Sequence, residues 1–389
     1  MGDDQDKAWL ATGQSGRPVF LHVFNSFGCG GAQTRFVQLA NHFGSALRHV
    51  VISRNGDYSG ARQLEPGADV VLHPWQESKA PLPVQIRRIS TALSAIRPAC
   101  LVTHNWGTMD WVVASFGARA RHIHIEDGFG PDESLRLKRR RALARRVLLR
   151  RSDVVVPSLT LKRIAETSWN IPLQRLHFIP NGIDCTRFSA PAGEGDFIRS
   201  PAGAPTIGTV AALRPEKNVA RLLRAFALVR RRQPCNLVIV GDGPERPGLV
   251  SLASSLNIKN SVQFVGHVEN PVACYRSFDV FVLTSDTEQM PYTVLEAMAT
   301  GLPVVATNVG DVLSMVSPEN GSLIVDKDDE QIASAILKAI DEKGFARDVG
   351  NSNRNFVRLR FDREAMFAAF GTLYGLPPQL ALNAFRHVA

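Results

Sequence analysis

The stretch SDTEQMPYTVLEAMATGLPVVATNVGD, Ser285 to Asp311, decides how the chain is read. It follows a strand-like apolar run, Val280–Leu283, and closes in another, Pro303–Ala306. Pro291 between them is favoured at the first helical position, where its missing N–H leaves nothing unpaired. Backbone amides should therefore gather around Met290 to Val294. Such a helix start attracts an anion, because N–H groups and the positive end of the dipole point the same way. Glu288 precedes the helix and Glu296 lies about one turn inside it, on an axis that rises about 1.5 Å per residue. The two carboxylates thus flank the amide cluster. A diphosphate at the helix start, with one acid accepting from sugar hydroxyls and the other from a ribose, is the layout a nucleotide sugar needs.

Glu-x7-Glu followed by Ala-Met-Ala-x-Gly-x-Pro-Val-Val-Ala-Thr-x-x-Gly resembles the donor motif of the family 4 retaining glycosyltransferases. That resemblance implies an α/β protein of the GT-B fold: two Rossmann-like domains with a cleft between them and a C-terminal helix crossing back to the first. It implies that Glu288 holds the donor hexose and Glu296 the ribose, while Gln289, Met290, Pro291, Thr293 and Val294 serve sugar and phosphate. The likeness is strong from about Pro180 onward; before it, layout matches more than motif.

A chain of 389 residues suits two domains. Its five cysteines are scattered and odd in number, which argues against a disulfide framework or zinc cluster and fits a reducing cytoplasm. Residues 1–17 are polar and read as a disordered tail rather than a signal. No apolar run reaches the 18 or so residues that cross a bilayer, so the protein is expected to be cytoplasmic or peripheral at the inner face of a membrane. The net charge of +9 is uneven: residues 1–200 hold 26 Lys and Arg against 17 Asp and Glu, and residues 201–389 balance. One lobe is therefore expected to face an anionic surface or substrate.

Val19–Phe24, the turn Gly28-Cys29-Gly30-Gly31 and a helical pattern from Ala32 to Phe43 open a Rossmann-like unit, residues 18–185. The glycine run lacks both Gly-x-Gly-x-x-Gly spacing and a Walker lysine. In the resembled family a loop here closes over donor diphosphate and acceptor, and Gly30, Gly31 and Gln33 match it. Further strand-like runs at His49–Ser53, Val70–Leu72, Cys100–Thr103, His122–Ile125 and Val154–Pro157 argue for a parallel sheet with binding residues at its carboxyl ends. His104, Asn105, the segment His122 to Asp127, and Ser158 sit there. Family members often carry a histidine in the segment HIHIEDGFGPDE; here either His124 fills that role or Asp127 has replaced it. Arg136 to Arg151, RLKRRRALARRVLLRR, holds nine cations among sixteen residues. Arg139, Arg140 and Arg146 are expected to project outward while the leucines pack, a pattern suited to an anionic membrane. No aromatic residues interleave the charges, which argues against nucleic acid.

The turn Pro180-Asn181-Gly182-Ile183-Asp184 and a Pro/Gly/Ser/Ala-rich linker, 186–205, mark the boundary. The pattern restarts over 206–360. Arg214 and Lys217, three apart after the strand Thr206–Val210, can converge on one anion and stabilise a leaving diphosphate without a metal. By the resemblance, Gly243 belongs to a second glycine turn and the backbone around Val265 lines the base pocket. Residues 361–389 form the helices that return to the first domain. No metal or cofactor is expected: of the triplets Asp4–Asp6 and Asp326–Asp328, one lies in the tail and the other caps a helix.

The expected activity is transfer of a hexosyl unit from a nucleoside-diphosphate sugar to a glycan or lipid-linked cell-envelope acceptor. Two rivals are a sugar-nucleotide 2-epimerase of the same architecture and a non-catalytic sugar-nucleotide-binding protein.

Overall fold

The computed structural model describes residues 17–44, 46–118, 120–129, 133, 138–189 and 203–377. The expected tail, most of the linker, Arg136 and the last twelve residues lie outside them. The chain divides into two compact units, residues 1–180 with 366–389 and residues 181–365.

Unit 1 is a seven-stranded parallel sheet of β1 (Val19–Phe24), β2 (Arg48–Ser53), β3 (Val70–His73), β4 (Cys100–His104), β5 (Arg121–Ile125), β6 (Asp153–Val156) and β7 (Leu176–Phe178). Its order is β3-β2-β1-β4-β5-β6-β7, with the strand order reversing between β1 and β4. Unit 2 is a six-stranded parallel sheet of β8 (Thr206–Val210), β9 (Asn236–Val240), β10 (Val262–Gly266), β11 (Val280–Leu283), β12 (Val304–Thr307) and β13 (Ile324–Val325). Its order is β10-β9-β8-β11-β12-β13, reversing between β8 and β11. Continuous apolar runs make these strands because both faces are covered. In unit 2 one face packs the helix Tyr292–Thr300 and the other the helices Val219–Arg230 and Asp329–Asp341. Both units are Rossmann-like.

Two boundaries differ from the sequence reading. The turn assigned to the first domain belongs to unit 2: the Ile183 amide donates to the Phe361 carbonyl at 2.9 Å, and Cys185 and Phe188 enter the same core as Tyr275 and Met298. The C-terminal helix runs Arg363–Tyr374, and Met366, Phe367, Phe370, Leu373 and Tyr374 complete the unit 1 core around Phe20, Val102 and Ile125.

Unit 1 also buries an unusual amount of polar chemistry. On one face of its sheet, the ring nitrogens of His22 and His49 lie 3.1 Å apart, and His104 stacks on Phe24. Thr103, the preceding residue on β4, points to the other face, where its hydroxyl meets His122 at 2.9 Å and His124 at 2.8 Å. The basic segment folds as the helix Arg139–Leu148, and its cations divide. Arg139, Arg140 and Arg146 face solvent, whereas Arg145 is fully buried, bonded to Glu126 at 2.9 Å and lying over the rings of Trp106, Phe129 and Trp169. Packing by the leucines holds only in part: Leu149 is buried, but Leu143 and Val147 stand 62% and 63% exposed among the outward arginines. The sequence pattern could not assign Arg145 inward, because its partners Glu126 and Glu133 reside in a separate loop.

Burial holds His22 and His104 well below the usual imidazole range, and lowers His49 to about 4 and His122 to about 3. A depressed folded pKa means the unfolded chain takes up protons first as pH falls. The stability is therefore fully present above about pH 6.5 and is lost as pH falls towards 4 and below, by up to about 1.4 kcal/mol per histidine per pH unit. Urea melts at pH 7.5 and 5 should show a marked loss of stability at the lower pH, and His49→Phe should flatten that dependence; equal midpoints at both pH values would contradict it.

Candidate active site

In unit 2 the carboxyl ends of β8 and β11 bring the first set of residues together. After β8 the chain makes a 3-10 turn, Pro215–Lys217, and Asn218 adopts a left-handed conformation with φ 43°. The Asn218 side chain caps the next helix at Arg221 and donates to Asp286 at 3.0 Å, while its carbonyl accepts from Thr284 Oγ1. This ties the two strand ends together. Lys217 Nζ then lies 2.6 Å from Glu288 Oε1, and Ser285 Oγ donates to the same oxygen at 2.8 Å. Arg214 is not drawn in: its guanidinium is half exposed and reaches Glu216 at 3.6 Å.

The loop carrying Glu288 is held from its far side by the strand ends of β12 and β13. Thr307 Oγ1 donates to the Ser285 carbonyl, the Asp311 amide to the Gln289 carbonyl, and Lys327 Nζ to the Asp286 carbonyl. Gly310, at φ 56°, lies so close that a Cβ would stand 2.2 Å from the Glu288 carbonyl oxygen. Met290 is fixed in turn by Asn181, whose side-chain amide donates to its carbonyl at 2.9 Å.

The helix itself runs Tyr292–Thr300, with Pro291 as its extended N-cap rather than its first helical residue. The amide cluster is one residue shorter than expected, because Val294 N bonds back to the Pro291 carbonyl at 3.2 Å. Thr293 stays in the first turn, where its N–H has no intrahelical acceptor. Glu296 is half-buried one turn on, and burial raises its carboxyl above the usual range, an effect opposed by the Tyr275 hydroxyl, which donates to Oε2 at 2.6 Å.

Two further expected residues are placed by backbone. Between Phe264 and Gly266 the β10–β9 register shifts, which leaves Val265 without a paired residue on β9. Gly243 packs against Leu213, where a Cβ would stand 2.4 Å from the carbonyl oxygen.

In unit 1, Gly30 is the extended N-cap and Gly31 the first residue of the helix Gly31–Phe43. Gln33 folds over that turn and donates to the Ser26 carbonyl at 2.6 Å. Of the two alternatives for the β5 loop, His124 is fully buried, bonded to Thr103 and 3.5 Å from Glu126. Asp127 is partly exposed and paired with Arg35 at 2.5 Å. His104 is buried as well, and the buried Ser158 caps the helix Leu159–Thr167. Among the described residues no group of three or more His, Cys, Asp or Glu is placed to hold a metal, and no helix is long and apolar enough to cross a membrane.

Residues 196–356 match the family model described as glycosyl transferases group 1, and residues 29–187 the model described as glycosyltransferase family 4. Both models describe glycosyltransferases, and between them they match residues of both units. A GDP-mannose-dependent alpha-mannosyltransferase of Mycolicibacterium smegmatis is 35% identical over 178 residues, 44% of each chain. A protein of Bacillus anthracis named N-acetyl-alpha-D-glucosaminyl L-malate synthase is 28% identical over 162 residues, 41% of this chain and 42% of that one. The chain spans about half the length of the curated relatives it matches. Among solved structures, the Thermosynechococcus elongatus sucrose-phosphate synthase superposes with a TM-score of 0.77 at 21% identity, covering 92% of this chain and 98% of the other. The Anabaena HepE protein in complex with UDP does so at 0.74 and 19%, covering 92% and 100%. These last two establish the fold alone.

Gly310 is the position most exposed to a simple test. Gly310→Ala adds a left-handed alanine, which disfavours the fold by about 1–2 kcal/mol, and a clash that pushes the Glu288 loop away. Nucleotide-sugar binding by calorimetry should weaken more than tenfold while the chain still melts cooperatively; unchanged affinity would show that the loop does not need this approach.

Proposed function

We propose that the chain is a retaining hexosyltransferase that takes its sugar from a nucleoside-diphosphate donor. The observation carrying this reading is the Lys217–Glu288 contact at 2.6 Å beside the amino end of the helix that bears Glu296. In it Glu288 accepts from hexose hydroxyls and Glu296 from the ribose, and the backbone of Gln289, Met290 and Thr293 supplies further contacts, the Val294 N–H being turned back to the Pro291 carbonyl. Lys217, Arg214 and the first-turn amides take up the charge that develops on the leaving diphosphate, and preorganised donors of this kind need no metal. Arg214 is exposed enough to swing onto a phosphate. The Val265 backbone reads the base, and Gly30, Gly31 and Gly243 allow close approach of main chain to ligand.

Retention is assigned to front-face attack. The C1–O bond to the diphosphate breaks, the acceptor oxygen bonds C1 on the same face, and the acceptor proton passes to a diphosphate oxygen. A double displacement would need Asp127 as nucleophile, and its ion pair with Arg35 favours the first route. The name of one relative specifies GDP-mannose and one similar solved structure is in complex with UDP, so both guanine and uracil donors are to be tested. A donor incubated alone should give only slow hydrolysis; formation of an epimer would favour the epimerase instead. Glu288→Gln and Lys217→Ala should each lower kcat/KM by about a hundredfold or more, measured by release of nucleoside diphosphate in the presence of acceptor. Full activity in both variants would remove the site assignment.

The acceptor is assigned to a glycan or lipid-linked molecule at the cytoplasmic face of an anionic membrane. The outward face of the helix Arg139–Leu148 supports this, since exposed Leu143 and Val147 can enter a lipid interface that the surrounding arginines attract. The free cysteines fit a reducing compartment. Replacing Arg139, Arg140 and Arg146 together by serine should reduce co-sedimentation with phosphatidylglycerol vesicles by on the order of a hundredfold, with no change on neutral phosphatidylcholine. Equal binding by variant and parent would refute the docking face.

A further inference from the structure

We infer that Tyr275 is the positioning residue that aims the ribose-reading carboxylate, so that discrimination of a ribonucleotide from its deoxy counterpart depends on its hydroxyl. The inference rests on the reading of Glu296 as the ribose ligand.

Tyr275 comes from the short helix Val272–Arg276 and is fully buried among Phe188, Phe278 and Phe281, whose ring centroids lie 5.7–5.9 Å from its own. A ring packed so closely has one place for its hydroxyl. That hydroxyl lies 2.6 Å from Glu296 Oε2 and 3.3 Å from the Thr293 carbonyl, and its single proton goes to the carboxylate, the nearer and charged acceptor. With Oε2 engaged from inside the core, the carboxylate is left to offer Oε1 outward, where among the described residues it makes no hydrogen bond. The cation whose field acts on Glu296 is held elsewhere: Arg187 donates to Asn270 at 2.7 Å. Hence, among the described residues, the phenol alone hydrogen-bonds the carboxylate and fixes its rotation. Without it Glu296, a half-buried glutamate with three rotatable bonds, would sample several orientations, and a hydrogen bond to a ribose hydroxyl would have to order it at each binding event.

Tyr275→Phe removes the hydroxyl and keeps the packing, so folding should survive; thermal melting checks this. The probes are UDP, GDP and their 2′-deoxy and 3′-deoxy counterparts, titrated calorimetrically into the full chain, with Glu296→Gln as the companion variant. The parent should prefer at least one ribonucleotide over its deoxy counterpart by about tenfold or more, the worth of a hydrogen bond to a charged group. In Tyr275→Phe the ribonucleotide should weaken by about tenfold with the deoxy affinity unchanged, so the preference collapses, and kcat at saturating donor should stay near the parent value. If both nucleotides weakened equally, the residue would be only a packing element and the inference would fall. If Glu296→Gln lost the preference while Tyr275→Phe kept it, the ribose reading would stand and this inference alone would be overturned. A parent protein that did not discriminate at all would overturn both.

Discussion

Glu288 can act only because the backbone beneath it is held from two sides. Toward β8 it is reached by Lys217 and, through Asp286, by Asn218 and Arg221; toward β12 its loop hangs on Thr307, Gly310 and Asp311. A loop between strand and helix is ordinarily the mobile part of such a unit. Here side-chain bonds to three backbone carbonyls, together with a glycine that admits direct main-chain contact, replace the regular ladder that the loop lacks. The acid is thereby delivered, with Lys217 2.6 Å from it, just ahead of the amino end of a nine-residue helix, where the dipole is strongest. Remove the anchoring and neither charge has a defined partner.

How much of this was legible follows from how local each feature is. Glu288, Pro291 and Glu296 lie on one loop and one helix, so their spacing already implied their geometry. Most strands were legible for the same reason, as runs of apolar residues bounded by turns. The edge strands Leu176–Phe178 and Ile324–Val325 were not, because two or three half-buried residues make no run. Pro291 was misplaced by one position, since an extended N-cap suits proline's fixed φ as well as the first helical turn does. Arg214 and Lys217 read as equivalent three residues apart, but the 3-10 turn between them directs only Lys217 to the acid. Ser285 carried no signal beyond its place three residues before Glu288, and Tyr275, 21 residues from Glu296, carried none.

Unit 1 was harder to read because its polar groups find partners across the sheet rather than along the chain. His124 looked like a lip residue from its place at a strand end, and yet the strand turns it inward to Thr103, whose hydroxyl also serves His122. Arg145 looked like one more surface cation. Its burial is tolerable because Glu126, Glu133 and three aromatic faces all attend it, and a buried charge without such company would be expelled or neutralised.

The same helix shows how one sequence pattern can carry two physical roles. Arg145 and Leu149 lie four apart and face inward, one as an ion and one as an apolar plug, and together they fix the rotation of the helix about its axis. That rotation obliges Leu143 and Val147 to point outward with Arg139, Arg140 and Arg146, although a purely hydrophobic reading would have buried both. The exposed apolar pair is therefore a consequence of the buried ion pair. Exchanging Arg145 for an apolar residue would remove the feature that distinguishes this rotation from one with Leu143 and Val147 buried, so the charge inside the unit determines which chemistry the unit shows outside.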